Sequence, residues 1–430
     1  MTAGAGPIPP GTATDPRATD RRAWGRRDAV ALGVGLVLAI VLRVVLLPAE
    51  GLRQDMDTFA GWVHALATDV PLGQAYRLDL SFPPIMVYLF WALARLVPAF
   101  ATSPDAGDLA VRIALKVPAS LADLGLAFGI AYLLRERPGR AVVGALLVAG
   151  LPITWYVSAW WGQFESIYVL LGLVAAILVL ADRPWLAAIA LGLALMTKPQ
   201  ALPFLVPFGA YVIGRYGWRR AAVIGAVTAM VAAVTWLPFL GDGGPSRYAA
   251  NLASYQYGSY AVLSLRAWNL WWLIQEPLAG GNMLADNGAL LGPITPRLLG
   301  YAMAGLAELA VFLLVLRRPT REGLLRGLAA SALVAFSLLT TMHERYSYGA
   351  VIILLPVALV AARRERAAWL ALAIAVTANL LAAIPPSGPS GGVIPLAGVV
   401  GIAGSIVILG VTSVALLALV RPGAAAGGAP

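Results

Sequence analysis

Apolar runs follow one another along most of the chain. The first, residues 29–48, comes after Arg21, Arg22, Arg26 and Arg27. It is about 20 residues long, enough for a bilayer core of about 30 Å. No small-residue cleavage site followed by a soluble domain marks it as a signal peptide, so it reads as a retained first helix. Further runs lie near 84–100, 113–134, 141–159, 166–181, 185–197, 200–214, 221–240, 297–316, 324–341, 346–362, 367–384 and 393–420, and each predicts a helix. Several fall short of a full crossing and are bounded by Pro and Gly, as happens where backbone lines a protein cavity rather than lipid. Two polar stretches, 50–81 and 241–296, are long enough to hold structure of their own and are read as helical outer loops. The second carries Tyr248, Tyr255, Tyr257, Tyr260, Trp268, Trp271 and Trp272, which suit either an interfacial anchor or a substrate wall. Residues 1–20, rich in Gly, Pro, Ala and Thr, read as a disordered tail.

Composition sharpens this pattern into a class. The chain is 60% hydrophobic and 12% charged, with mean hydropathy +0.80, against about 45–50% and about 25% in soluble domains. That excludes a soluble enzyme, a disordered protein and a disulfide scaffold, and predicts an all-α polytopic membrane protein. Cysteine is absent, and His64 and His343 are the two histidines. The net charge of +10 is read as topology, with no nucleic-acid partner expected. Of 31 basic residues, 29 are arginine; the lysines are Lys116 and Lys198. Twenty arginines fall in clusters at 17–27, 135–140, 183, 215–220, 317–326, 363–366 and 421. Placing these clusters in the cytoplasm gives 12 crossings with both termini inside if 84–100 is re-entrant, or 13 with one loop on the wrong side. The expected divisions are a cytoplasmic tail over 1–28, a transmembrane module over 29–362, C-terminal helices over 363–420 and a flexible tail over 421–430.

Charged residues outside those clusters are few, and they gather on the outer side in five groups. Asp55 and Asp57 follow the first helix, flanked by Phe59 and Trp62; in extended backbone, residues two apart face one site. Lys116 and Asp123 are seven apart, on one helix face and about 10 Å apart along the axis. The stretch from Trp161 to Ser166 supplies Gly162 for a turn, Gln163 and Glu165. Lys198-Pro199-Gln200 puts a phosphate-suited point charge outside. His343-Glu344-Arg345 adds an oxyanion donor, an orienting carboxylate and a guanidinium fork. No Walker loop, Rossmann glycine pattern or His-Glu-x-x-His helix is present.

In order and wording these groups resemble the GT-C superfamily of polyprenyl-phosphate-sugar-dependent glycosyltransferases, and within it bacterial relatives of the GPI second mannosyltransferase. The resemblance rests on Asp55 with Phe59 and Trp62; Phe82-Pro83-Pro84 with Tyr88; Lys116-x-Pro118 with Asp123; and Trp161-Gly162-Gln163, Lys198-Pro199-Gln200 and Met342-His343-Glu344-Arg345-Tyr346. It covers roughly residues 29–362. The chain departs at Glu165, where an aspartate is usual, and at Ser81, where a carboxylate often precedes the aromatic-Pro-Pro. The resemblance implies inverting transfer of a hexose, most simply mannose, from a polyprenyl-phosphate donor to a hydroxyl acceptor at the outer, periplasmic face of the cytoplasmic membrane. The acceptor would be a glycolipid, a polysaccharide or a protein. Asp55 would act as general base. Lys198 and Arg345, then Lys116 and His343, would meet the donor phosphate. Asp57, Asp123, Gln163, Glu165, Gln200 and Glu344 would contact substrate. No nucleotide sugar or obligatory metal is implied; a divalent cation held by Asp55 and Asp57 is kept as an option. The rival expectation is a transporter or flippase for a lipid-linked or anionic substrate, which would also place charges within broken helices.

Overall fold

Proline and short polar side chains set where the helices begin. Pro84, Pro138, Pro152, Pro184 and Pro296 stand in a helical first turn, where a missing N–H costs nothing. Asp108, Asn269, Thr295 and Thr320 cap other starts by accepting backbone N–H bonds. The computed structural model describes residues 23–290, 292–388 and 391–420. The expected tails over 1–20 and 421–430, with Arg17, Arg21, Arg22 and Arg421, lie outside the described residues.

The helices run α1 (Arg26–Leu46), α2 (Arg53–Thr68), α3 (Pro84–Leu96), α4 (Ala99–Thr102), α5 (Leu109–Leu133), α6 (Pro138–Gly150), α7 (Pro152–Trp155), α8 (Glu165–Leu180), α9 (Pro184–Leu195), α10 (Leu205–Tyr216), α11 (Trp218–Trp236), α12 (Gly244–Ala253), α13 (Leu270–Ala279), α14 (Pro296–Arg317), α15 (Arg321–Leu338), α16 (Tyr348–Val360), α17 (Arg363–Ala383) and α18 (Gly398–Val420). Among the described residues the strands are two dipeptides, β1 (Ser264–Leu265) and β2 (Met342–His343), paired in parallel. The protein is therefore all-α. Among the described residues six helices are long and apolar enough to cross a bilayer, or seven with the bent pair Pro138–Gly150 and Pro152–Trp161 taken as one span; Pro84–Leu96, Glu165–Leu180, Pro184–Leu195 and Tyr348–Val360 are apolar but shorter. This is the architecture of a multi-pass membrane protein.

Contacts sort the helix ends into two sets. Trp24 donates to Arg135 O, Arg321 to Leu133 O, and Tyr216 to Asp182, while Arg326 pairs with Glu365. Among the described residues the arginine clusters thus meet at one end. At the other end Lys116 donates to Ala49 O and Arg112 pairs with Glu50, which brings the C-terminus of α1 to the N-terminus of α5. The chain between them, including α3, leaves from and returns to that same end. Arg53 reaches Asp105, and the Ala106 N–H donates to Asp57. That return agrees with a re-entrant 84–100.

Two apolar cores result. The larger joins the long helices. The smaller packs Phe59, Trp62, Phe82, Phe90 and Phe164 around α2 and α3. Phe59 and Trp62, which flank the Asp55 segment, are therefore core residues. Trp268, Trp271 and Trp272 are buried as well, and the indoles of Trp268 and Trp271 donate to Leu396 O and Leu338 O. The aromatic loop over 241–296 is thus docked into the bundle.

Candidate active site

Asp55 sits in the first turn of α2. A left-handed Gly51 (φ 64°) brings the chain into that helix, and a Cβ there would lie 2.7 Å from Trp160 O. The loop can pass only because the residue is glycine. Facing it, α7 continues into a π-helical turn, Tyr156–Trp161, which Gly162 ends at φ 96°. Such turns often mark functional sites because they re-aim side chains. Here the turn aims two donors at one oxygen. Gln163 Nε2 lies 2.6 Å and Trp161 Nε1 3.1 Å from Asp55 Oδ2.

Glu165, at the start of α8, accepts from both cations. Lys198 Nζ is 2.5 Å and Arg345 Nε 3.1 Å from its Oε1. Lys198 precedes Pro199 and is held extended, as a residue before proline prefers. Its ammonium lies 5.7 Å from the rings of Phe82 and Tyr346. Arg345 stacks over Trp161 at 4.8 Å and donates to Glu344 Oε1 at 3.0 Å. Burial pushes the Lys198 ammonium below its ordinary value against the pull of Glu165. Burial also works against the Arg345 charge, but Glu344 and Glu165 outweigh it and raise the guanidinium further. Glu344 is held below its ordinary value: burial opposes this, and the Arg345 guanidinium 3.0 Å away prevails. Asp55, Glu165 and Glu344 set three carboxylates against two cations, so the site offers N–H donors rather than surplus positive charge.

These groups edge one cavity of about 640 Å³. Asp55, Gln163, Lys198, Gln200 and Arg345 line it, walled by Trp62, Phe82, Tyr255, Tyr260 and Tyr346. Away from the polar end it continues along α14 and α15 past Leu202, Val206, Ala304 and Phe336 to Glu308. The arginine clusters lie at the opposite end of the bundle. Gln200 Oε1 and Glu165 Oε2 are buried and accept no hydrogen bond.

The other residues singled out in the sequence lie elsewhere. Asp57 accepts from Arg53 Nε at 2.8 Å and from Ala106 N at 2.9 Å. Because α2 is helical, residues two apart diverge by about 200° around its axis, so Asp55 and Asp57 do not form a shared cation site. Among the described residues no cluster of three or more His, Asp or Glu side chains is arranged to hold a metal. Lys116 is fully buried off the cavity wall, with Nζ 2.5 Å from Ala49 O, and anchors the loop before α2. Asp123 pairs with Arg43 at 3.0 Å rather than with Lys116, and accepts from Ser158 and from Tyr348 at 2.7 Å. His343 and Glu344 stand behind the wall.

Three charged residues of the cavity were not singled out from the sequence. Asp79 lines the cavity and accepts from Trp62 Nε1 at 2.6 Å. Arg297 lines it while paired with Asp286 at 2.7 Å. Glu308, the one acid inside the apolar run 297–316, was legible as a costly intramembrane charge. Ser331 Oγ is 2.6 Å from Pro203 O and 2.7 Å from both Glu308 oxygens. A hydroxyl has one hydrogen, so both contacts are satisfied only when Glu308 is protonated and donates to Ser331. Glu308→Gln, whose amide donates in the same place, is expected to change unfolding free energy by less than about 0.5 kcal/mol; a loss above about 2 kcal/mol would mean that the charged form is the native one.

No protein-family model matches this chain, and no curated protein matches it.

Proposed function

We propose that the protein is a GT-C-like membrane glycosyltransferase that moves a hexose, mannose in the simplest case, from a polyprenyl-phosphate donor to a hydroxyl acceptor. The observation that carries this reading is the composition of one cavity. A carboxylate, two cations and two amides share its polar end, and an apolar tract leads away from them toward the bundle interior. A lipid-linked sugar phosphate has that same division. Its phosphate and sugar need directed donors and acceptors, and its tail needs an apolar trough.

In this mechanism Asp55 takes the acceptor proton as the hydroxyl attacks the anomeric carbon. Gln163 and Trp161 both bind Oδ2, which leaves Oδ1 for the incoming hydroxyl. The bond from the anomeric carbon to the phosphate oxygen breaks, and the electron pair leaves with the phosphate. The N–H groups of Lys198 and Arg345 not directed at Glu165 and Glu344 meet the growing charge. Gln200 Oε1, an acceptor with no donor, suits a sugar hydroxyl. In this reading α1, α5, α6 with α7, α8 to α11 and α14 to α18 serve as twelve crossings and the arginine-rich end faces the cytoplasm, so that the cavity belongs to the outer face of the cytoplasmic membrane.

Purified protein given labelled polyprenyl-phosphate mannose in lipid vesicles tests the reading. Sugar transferred to an acceptor supports it; vectorial movement with no bond cleavage establishes the transporter instead. Lys198→Gln removes one phosphate donor and is expected to lower kcat, measured per folded protein, by about 10²–10³; it also takes one of two cations from the buried Glu165 carboxylate, so the thermal melt should fall as well. Turnover within a few-fold of wild type would remove Lys198 from the phosphate site.

A further inference from the structure

His343 does not reach the cavity, yet its two ring nitrogens connect a cavity cation to a cavity phenol. Nδ1 lies 3.2 Å from Arg345 Nη1, and Nε2 lies 3.3 Å from the Tyr255 hydroxyl. Arginine only donates, so Nδ1 must be the acceptor and carries no proton. The ring is then neutral with its hydrogen on Nε2. Burial, joined by the Arg345 charge, acts in the same direction by pushing the imidazole below its ordinary value. The Nε2–H therefore donates to the Tyr255 oxygen, and the phenol's own hydrogen is left to donate elsewhere. Tyr255 lines the cavity beside Arg345. Burial raises its phenol, which stays protonated.

The backbone holds both partners in place. β1 and β2 pair Ser264 with Met342 and Leu265 with His343, and the Thr341 N–H donates to Val262 O at 3.1 Å. The loop carrying Tyr255 is thereby tied to the turn carrying His343. Tyr260 packs 4.4 Å from the Tyr255 ring and 5.6 Å from the imidazole.

We infer that Tyr255 is a hydrogen-bond donor to the donor-lipid phosphate and that His343 is the residue that sets its direction. This rests on the glycosyl-transfer reading above. A phosphodiester carries one negative charge and the departing monoester approaches two, so an aimed neutral donor gains strength as the bond breaks. In a site where carboxylates outnumber cations, such a donor helps without adding a further buried charge. The benefit falls on kcat rather than KM.

The test is a cycle in the full-length protein, with polyprenyl-phosphate mannose as donor and polyprenyl phosphate as the binding probe. Tyr255→Phe is expected to lower kcat about 10- to 100-fold with KM within about threefold. His343→Leu should match it, and the double variant should lose no more than either alone. His343→Gln, which keeps an N–H near the Nε2 position, should recover most of the loss. Multiplicative losses in the double variant, a defect confined to KM, or no recovery in His343→Gln would overturn the relay while the wild type remains active. A wild-type protein that neither binds the lipid phosphate nor transfers its sugar overturns the glycosyl-transfer reading and removes the ligand assigned to Tyr255 with it.

Discussion

Asp55→Asn is expected to cut sugar transfer from a polyprenyl-phosphate donor by about 10²–10⁴, the usual contribution of a positioned general base. The fold should survive. An asparagine can turn its carbonyl oxygen toward Gln163 and Trp161, so both hydrogen bonds persist, and Asp55 pairs with no cation in the structure. The amide oxygen is too weak a base to take a hydroxyl proton. The loss should therefore fall on kcat, with donor binding and the thermal melt near those of wild type. Retained turnover in this variant would end the assignment. A fall in melting temperature matching the fall in rate would recast Asp55 as structural.

The second large effect is expected in the fold. Asp123→Ala should destabilise the protein by about 3–5 kcal/mol, because it leaves a buried guanidinium without its carboxylate. Arg43 and Asp123 are 3% and 0% exposed, and the pair joins α1 to α5. Ser158 and Tyr348 lose their acceptor in the same step. Against a total stability of about 5–15 kcal/mol, most of the protein should fail to reach a monodisperse state in detergent. Replacing both Arg43 and Asp123 with leucine removes the stranded charge and should recover part of the loss. Normal folding of Asp123→Ala with transfer abolished would instead return Asp123 to the substrate.

These predictions separate two kinds of polar residue that look alike in the sequence. Asp55 and Asp123 are both lone carboxylates beside apolar runs, and both belong to patterns that resemble one enzyme superfamily. Their difference lies in what packs against them. Arg43 sits inside the first apolar run, and nothing local marks it as the partner of a residue 80 positions on. Glu165 meets Arg345 across 180 positions. Asp57 was grouped with Asp55 on the premise of extended backbone; the helix over Arg53–Thr68 turns them apart. Tyr255, Asp79 and Glu308 reach the cavity from three separate segments. Of these, Glu308 carried a signal as an acid within an apolar run and Tyr255 as one of the loop aromatics, while Asp79 carried none.

By itself the sequence determined the class of the protein, its helical content, the clustering of arginines at one end and the short list of polar groups with something to explain. Those properties are set residue by residue, through the cost of burying charge in lipid and the need of every backbone N–H and C=O in the bilayer core for an internal partner. Tertiary structure decided which polar groups share a cavity, which cations are already compensated, and which histidine nitrogen carries the hydrogen. Each of those turns on a few ångströms between segments far apart in the chain. Periodicity records only the direction in which a side chain leaves its own helix, and helix packing selects what it meets.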